Sequence, residues 1–220
     1  MLARPPYARR VAAVFDLEGL LIDLRPAWAF AVEQAVAAVT GRRFDASALA
    51  EEYSWRPWAH ALAVLVPEHD FARRAEALCA RLFSTSALKR IAVPEGLGMA
   101  LDALREARVE LGAVSRQPHR LALRQLETTG LDRFFAVLSP TNEGAGWDAA
   151  ARVRQCLDYL GVATADSLFV TADSDAARRA QAAGFPTLAL ELEPGARAAK
   201  LPPGLAGRVT AILSAGPAGA

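Results

Sequence analysis

Short apolar runs of strand length recur along the chain at residues 11–15, 109–114, 134–138, 167–171 and 186–190. Between most of them the apolar side chains return every three or four positions, over stretches long enough for a helix. Alternation of these two periods predicts βαβ units around a parallel sheet. Glycines mark the helix ends: Gly130 follows LALRQLETT, Gly161 follows ARVRQCLDYL and Gly184 follows ARRAQAA. The residue just past a last helical turn commonly takes the left-handed conformation, which glycine adopts without strain. Pro118 suits the first turn of its helix, where a missing N–H costs nothing.

The interval between the first and second strands is too long for one crossover. It holds a helical pattern at 27–40 stopped by Gly41, the segment SALAEEY at 47–53, and a longer helical stretch over 70–90. Residues 25–91 therefore read as an inserted helical cap, and 1–24 with 92–220 as one α/β core, with Val93-Pro94 as the return. The segment SWRPWAHALAVLVPEHD inside the insertion is apolar and aromatic; packing of the insertion's own small core is the preferred reading. The tail LPPGLAGRVTAILSAGPAGA allows a short edge strand at 209–213, and its last Ala, Gly and Pro residues read as disordered. No internal repeat is found.

Composition changes this picture only in places. A hydrophobic share of 53% allows a sizeable core. A formal net charge of +1 removes the electrostatic case for nucleic acid or an anionic membrane as partner. Lys89 and Lys200 are the only lysines. Cys79 and Cys156 each sit in an apolar helical pattern without metal-ligand spacing, and read as buried free thiols of a reducing compartment. The apolar run after MLARPPYARR is too short for a signal peptide or a membrane span, so a soluble, cytoplasmic protein is expected.

The chemistry gathers at strand ends. In VFDLEGLLID, Asp16 and Glu18 stand at the mouth of a buried strand; Ser115 ends the second strand in GAVSRQP; Asp173 and Asp175 follow the fourth in FVTADSD. Ligands of open parallel sheets bind outside the carboxyl ends of the strands. Each residue alone is explained by capping of the next helix. Three strands delivering an acid, a hydroxyl and an acid pair to one edge point to a site.

These residues and their order resemble the haloacid dehalogenase-like (HAD) superfamily, most nearly its phosphatases with a small helical cap. The resemblance spans nearly the whole chain. It implies a three-layer, Rossmann-like parallel sheet core with an inserted helical cap. It also implies an aspartyl-phosphate mechanism: Asp16 as nucleophile, Glu18 as acid/base, Ser115 holding phosphate together with a lysine whose part Arg116 would take here, and Mg²⁺ bound by Asp16 with Asp173 or Asp175. The substrate would then be a small phosphorylated metabolite.

The departures from that family's pattern are specific. Glu18 replaces an aspartate and carries an extra methylene. Leu20 replaces a threonine, while Asp23 matches a later acid that orders the turn. The expected lysine falls near Trp147, and none lies between Lys89 and Lys200, which leaves Arg116, Arg152 or Arg154 as substitutes. Ala172 and Ala176 occupy the slots of two metal-binding acids, so Asp173 needs a one-residue bulge to serve, and Asp175 reads equally well as a helix cap. EGAG at 143–146 reads as a plain turn. Mg²⁺ is expected to bind weakly or not at all. Two readings stay open: a phosphatase with an impaired or altered site, and an inactive pseudoenzyme that binds a ligand or a protein partner. A dehalogenase also calls for the lysine. A nicotinamide-binding enzyme is disfavoured because residues 11–23 lack Gly-x-Gly-x-x-Gly.

Overall fold

All five residues of β1 (Ala12–Asp16) are buried, as an apolar run must be when both faces of its sheet are covered. The computed structural model describes residues 10–54, 56–66, 68–141, 146–193 and 200–215. After β1 come four helices, α1 (Arg25–Thr40), α2 (Ser47–Tyr53), α3 (Trp58–Leu65) and α4 (His69–Phe83). The chain then alternates through α5 (Leu97–Glu106), β2 (Glu110–Ser115), α6 (His119–Thr129), β3 (Val137–Pro140), α7 (Ala149–Leu160), β4 (Ser167–Thr171), α8 (Ser174–Ala182) and β5 (Thr187–Ala189), and ends in α9 (Leu205–Ala215).

The strands form one five-stranded sheet in the order β3-β2-β1-β4-β5, with every pair parallel. Successive residues of β1 serve opposite layers. Ala13 and Phe15 pack in the cluster that holds Leu101 of α5, Leu126 of α6 and Val209 of α9. Ala12 and Val14 pack with Val153 of α7 and Ala180 of α8. This period of two, with helices on both faces, makes the three-layer α/β core.

Helices α1 to α4 lie between β1 and β2 in the chain. Trp28 of α1 stacks on Trp58 of α3 with ring centroids 6.0 Å apart, and Phe83 meets Trp58 edge-on at 5.4 Å. Trp58, Ala61 and Leu62 of the aromatic segment pack in the same apolar cluster as Trp28 and Phe83, which is continuous with the sheet's α5, α6 and α9 layer. The two connections that lead into it and out of it are tied together: Asp23 N–H donates to Ala92 O at 2.8 Å, and Ala92 N–H to Asp23 O at 3.1 Å.

Some elements differ from the sequence reading. The tail segment at 209–213 is not an edge strand but part of α9. Leu205, Val209 and Leu213 are its buried residues, and their spacing of four is a helical stripe that the short apolar run concealed. The third strand starts later than 134, because Asp132–Phe134 first makes a tight helical turn. The stretch over 70–90 breaks after Phe83 and resumes as a short 3₁₀ turn at Ser86–Arg90. Pro118 sits just before α6 instead of inside its first turn. Gly41, Gly130, Gly161 and Gly184 all carry positive φ at helix ends. Cys79 and Cys156 are buried free thiols. The last five residues and most of EGAG lie outside the described residues. Among the described residues no helix is long and apolar enough to cross a membrane.

Candidate active site

The sheet order places β1 between β2 and β4, so the chain's crossovers leave β1 in opposite directions and open a crevice at its carboxyl end. Asp16 is the last residue of β1, in register with Val114, one residue before Ser115. Beyond Asp16 the chain makes a single wide turn over Leu17–Leu21. Gly19 N–H donates to Asp16 Oδ1 at 3.2 Å. A Cβ on Gly19 would stand 2.2 Å from Asp16 Oδ2, so the turn closes over the carboxylate only with glycine there. From the other side, Thr171 at the end of β4 donates its hydroxyl to Asp16 Oδ2 at 2.8 Å. The carboxylate is fully buried. Burial pushes its pKa up, and the Arg116 guanidinium is the chief influence opposing that rise.

Glu18 does not point away from this centre. Its carboxylate, 3% exposed, accepts from Ser115 Oγ at 2.5 Å and from the Arg116 backbone N–H at 3.0 Å. Ser115 Oγ in turn accepts from Gln117 N–H at 3.0 Å. Burial first, and then the charge of Asp16, push the Glu18 carboxyl up to about 7, despite these donors. A group that exchanges its proton near neutral pH suits acid/base work.

Asp173 enters the site without a bulge, as the cap of α8. Its Oδ1 accepts from the N–H groups of Asp175 (2.8 Å) and Ala176 (3.0 Å). Its own N–H donates to Thr171 Oγ1 at 3.0 Å. Its Oδ2 is paired with Arg116 Nη2. Burial raises the Asp173 pKa, but the Arg116 hydrogen bond and the helix N–H groups outweigh it and hold the carboxyl below its ordinary value. Asp175 is a correction: it neither caps α8 nor reaches the site. It is exposed and paired with Arg178 at 2.5 Å and Arg179 at 3.0 Å, because the first turn of α8 aims it along the outer face of the helix.

Of the three candidate arginines, one arrives. Arg116 Nη2 lies 3.5 Å from Asp16 Oδ2 while also holding Asp173, and the guanidinium sits over the Trp147 ring, 5.0 Å from its centroid. Arg152 instead donates to Pro140 O at 3.1 Å and Gln155 Oε1 at 3.0 Å, and Arg154 lies over Phe185. The sequence reading missed two residues. Thr171, which links Asp16 to Asp173, ends the fourth strand in FVTADSD, and the parallel register of β1 with β4 was the signal for it. Trp147, which stands where the resemblance implies a lysine, is the surface on which Arg116 rests.

Above these groups lies a cavity of about 430 Å³ lined by Glu18, Asp23, Arg25, Glu51, Arg116 and Asp173, among others. Its far wall is Arg25 of α1, fixed by Asp23 at 2.7 Å and by Glu51 of α2 at 2.5 Å. Asp23 also accepts from Arg25 N–H at 3.0 Å and so orders the turn into α1.

The donors do not fit Mg²⁺, which takes oxygen ligands in near-octahedral array. The Oδ2 atoms of Asp16 and Asp173 both face the Arg116 guanidinium. Asp173 Oδ1 is occupied by the N–H groups of α8, and Asp175 is remote. Among the described residues no group of three or more His, Cys, Asp or Glu could hold a metal ion.

A doubly wound parallel sheet that gathers carboxylates at its switch point, with helices inserted directly after the first strand, defines a three-layer α/β protein whose candidate site centres on an aspartate. The sequence profile of the haloacid dehalogenase-like hydrolases matches residues 11–188. The chain belongs to this family. Similar solved structures include a HAD-superfamily hydrolase of subfamily IA from Geobacter sulfurreducens, 19% identical with a TM-score of 0.70, covering 82% of this chain and 86% of that one. A candidate β-phosphoglucomutase from Thermotoga maritima is also 19% identical, with a TM-score of 0.70 and coverage of 91% and 99%. Protein tyrosine kinase A of Mycobacterium tuberculosis is 21% identical, with a TM-score of 0.64 and coverage of 83% and 84%. At these identities the likeness is one of fold. Among curated proteins, none matches the chain in sequence.

Proposed function

We propose that this chain is a phosphatase-type member of its family, directed at small phosphomonoesters, whose turnover is held far below what the fold allows. Asp16 is the nucleophile: an oxygen of its carboxylate attacks phosphorus, the bond to the leaving oxygen breaks, and Glu18 delivers its proton to that oxygen. Water then attacks the aspartyl-phosphate, Glu18 takes back a proton, and inorganic phosphate leaves with Asp16 restored. Ser115 and the Arg116 N–H are the donors for the phosphoryl oxygens.

The observation that carries the impairment is the reach of Glu18. Its carboxylate already accepts from Ser115 Oγ and from Arg116 N–H, so the acid/base group occupies the donors the substrate needs. Displacing it leaves a buried carboxylate in search of partners, and each such lost partner costs about 1–3 kcal/mol. The pairing of Asp16 with Arg116 favours the second reading, a binding module without catalysis, because an oxygen held by the guanidinium is less free to attack phosphorus.

Hydrolysis of an aryl phosphate separates the two. The native protein is expected to turn over slowly, Asp16→Asn to abolish that activity, and Glu18→Asp to raise it by withdrawing the carboxylate from Ser115. Fast native turnover lost in Asp16→Asn would overturn the impairment. Native and Glu18→Asp proteins both inert, yet still binding inorganic phosphate, would favour the binding module.

A further inference from the structure

The carboxylates of Asp16, at the end of β1, and Asp173, just past the end of the adjacent β4, converge on one point of positive charge. That point is a side-chain nitrogen: Arg116 Nη2 faces the Oδ2 atoms of both. An ion bridging the same two oxygens would have to take the same place. We infer that Arg116 is a tethered cation that stands in for a divalent metal, and that this site takes its phosphate-class ligand without one.

Three independent features hold the guanidinium there. Its face rests on Trp147, a residue whose flat ring supports a planar cation in a way that suits arginine and not a compact ammonium. Its backbone N–H is fixed by Glu18, which anchors the residue at the end of β2. Asp173 is locked by the first turn of α8 and by Thr171, so its Oδ2 is aimed at the guanidinium by the fold. The family's departures in this chain then form one set. The position expected to hold lysine gives the stacking ring, the acid slot at 172 is alanine, and Asp173 one residue on meets the arginine. The family resemblance implies Mg²⁺ at this place; here a covalently attached single charge with directed donors replaces it.

This inference rests on Asp16 as the centre of the site but not on turnover, and its test reads binding, so it fails or holds separately from the phosphatase reading. Chelator-stripped protein is titrated with Mg²⁺ alone by calorimetry, with thermal unfolding as a second readout. The native protein is expected to show no stoichiometric binding at millimolar Mg²⁺. Arg116→Ala, which unmasks two convergent carboxylates, is expected to bind Mg²⁺ at least about tenfold more tightly, about 1.4 kcal/mol, and to lose that gain when Asp173→Asn is added. Arg116→Met removes the charge but keeps a long unbranched side chain, and serves if the alanine variant does not fold. One-to-one binding of Mg²⁺ by the native protein, lost in Asp16→Asn, overturns the inference. So does equal Mg²⁺ affinity in the native protein and in whichever Arg116 variant folds.

Discussion

Glu18 should make the protein less stable as pH rises through the weakly acidic range. Its carboxyl is at about 7 in the fold against an ordinary 4.5. Each tenfold change in proton affinity is worth about 1.4 kcal/mol, so the gap corresponds to about 3 kcal/mol. The sign follows from proton counting. Below pH 4.5 the folded and unfolded chains both carry the proton, and stability is at its full value. Between 4.5 and about 7 the unfolded chain releases the proton while the folded chain keeps it, so stability falls. Above about 7 the fall is complete. The perturbation that isolates this group is Glu18→Gln, a neutral side chain of the same length that keeps an oxygen for Ser115 Oγ. The assay is thermal or urea unfolding of both proteins at steps from pH 4.5 to 8. The native protein is expected to lose about 3 kcal/mol relative to Glu18→Gln across that range, or roughly 6–12 °C in midpoint for a chain of this size. Parallel stability curves for the two proteins would refute the reasoning, since they would mean that burial and the Asp16 charge do not act on Glu18.

Two further outcomes follow from the contacts of Asp16. Gly19→Ala sets a Cβ 2.2 Å from Oδ2 and is expected to cost about 1–3 kcal/mol in urea unfolding through the forced shift. A neutral result would mean the turn is looser than described. Thr171→Val keeps the shape of the side chain but removes the hydroxyl between Asp16 and Asp173, which should cost about 1–3 kcal/mol for the unsatisfied carboxylate. Loss of under half of that, by the same assay, would show that Arg116 and Gly19 suffice to hold Asp16.

Much of this arrangement was legible in the sequence, for physical reasons. Buried parallel strands must be apolar throughout, and helix-ending glycines must accept positive φ, so the core elements and most boundaries could be read directly. The convergence of Asp16, Ser115 and Asp173 followed from their places at strand ends. What could not be read was direction. Nothing in VSRQP says that Arg116 turns inward to meet Asp16 while Arg152 and Arg154 turn elsewhere. Nothing in DLEGL says that Glu18 reaches Ser115. Asp175 and Asp173 differ by two positions on one helix turn, and only capping geometry decides which carboxylate faces the site. The tail misled because VTAIL at 209–213, flanked by small residues, fits a strand as well as the stripe of Leu205, Val209 and Leu213.

The stacking of Arg116 on Trp147 also bears on how such a site can change over time. The ring, the guanidinium and the two carboxylates it pairs are mutually dependent, so substitutions among them do not add. Restoring a lysine at 147 while Arg116 remains would remove the platform and bring two like charges together. Removing Arg116 first would strand two carboxylates. Either single substitution is expected to give a less stable chain, so the lysine-bearing pattern is reached without that cost only when both positions change together.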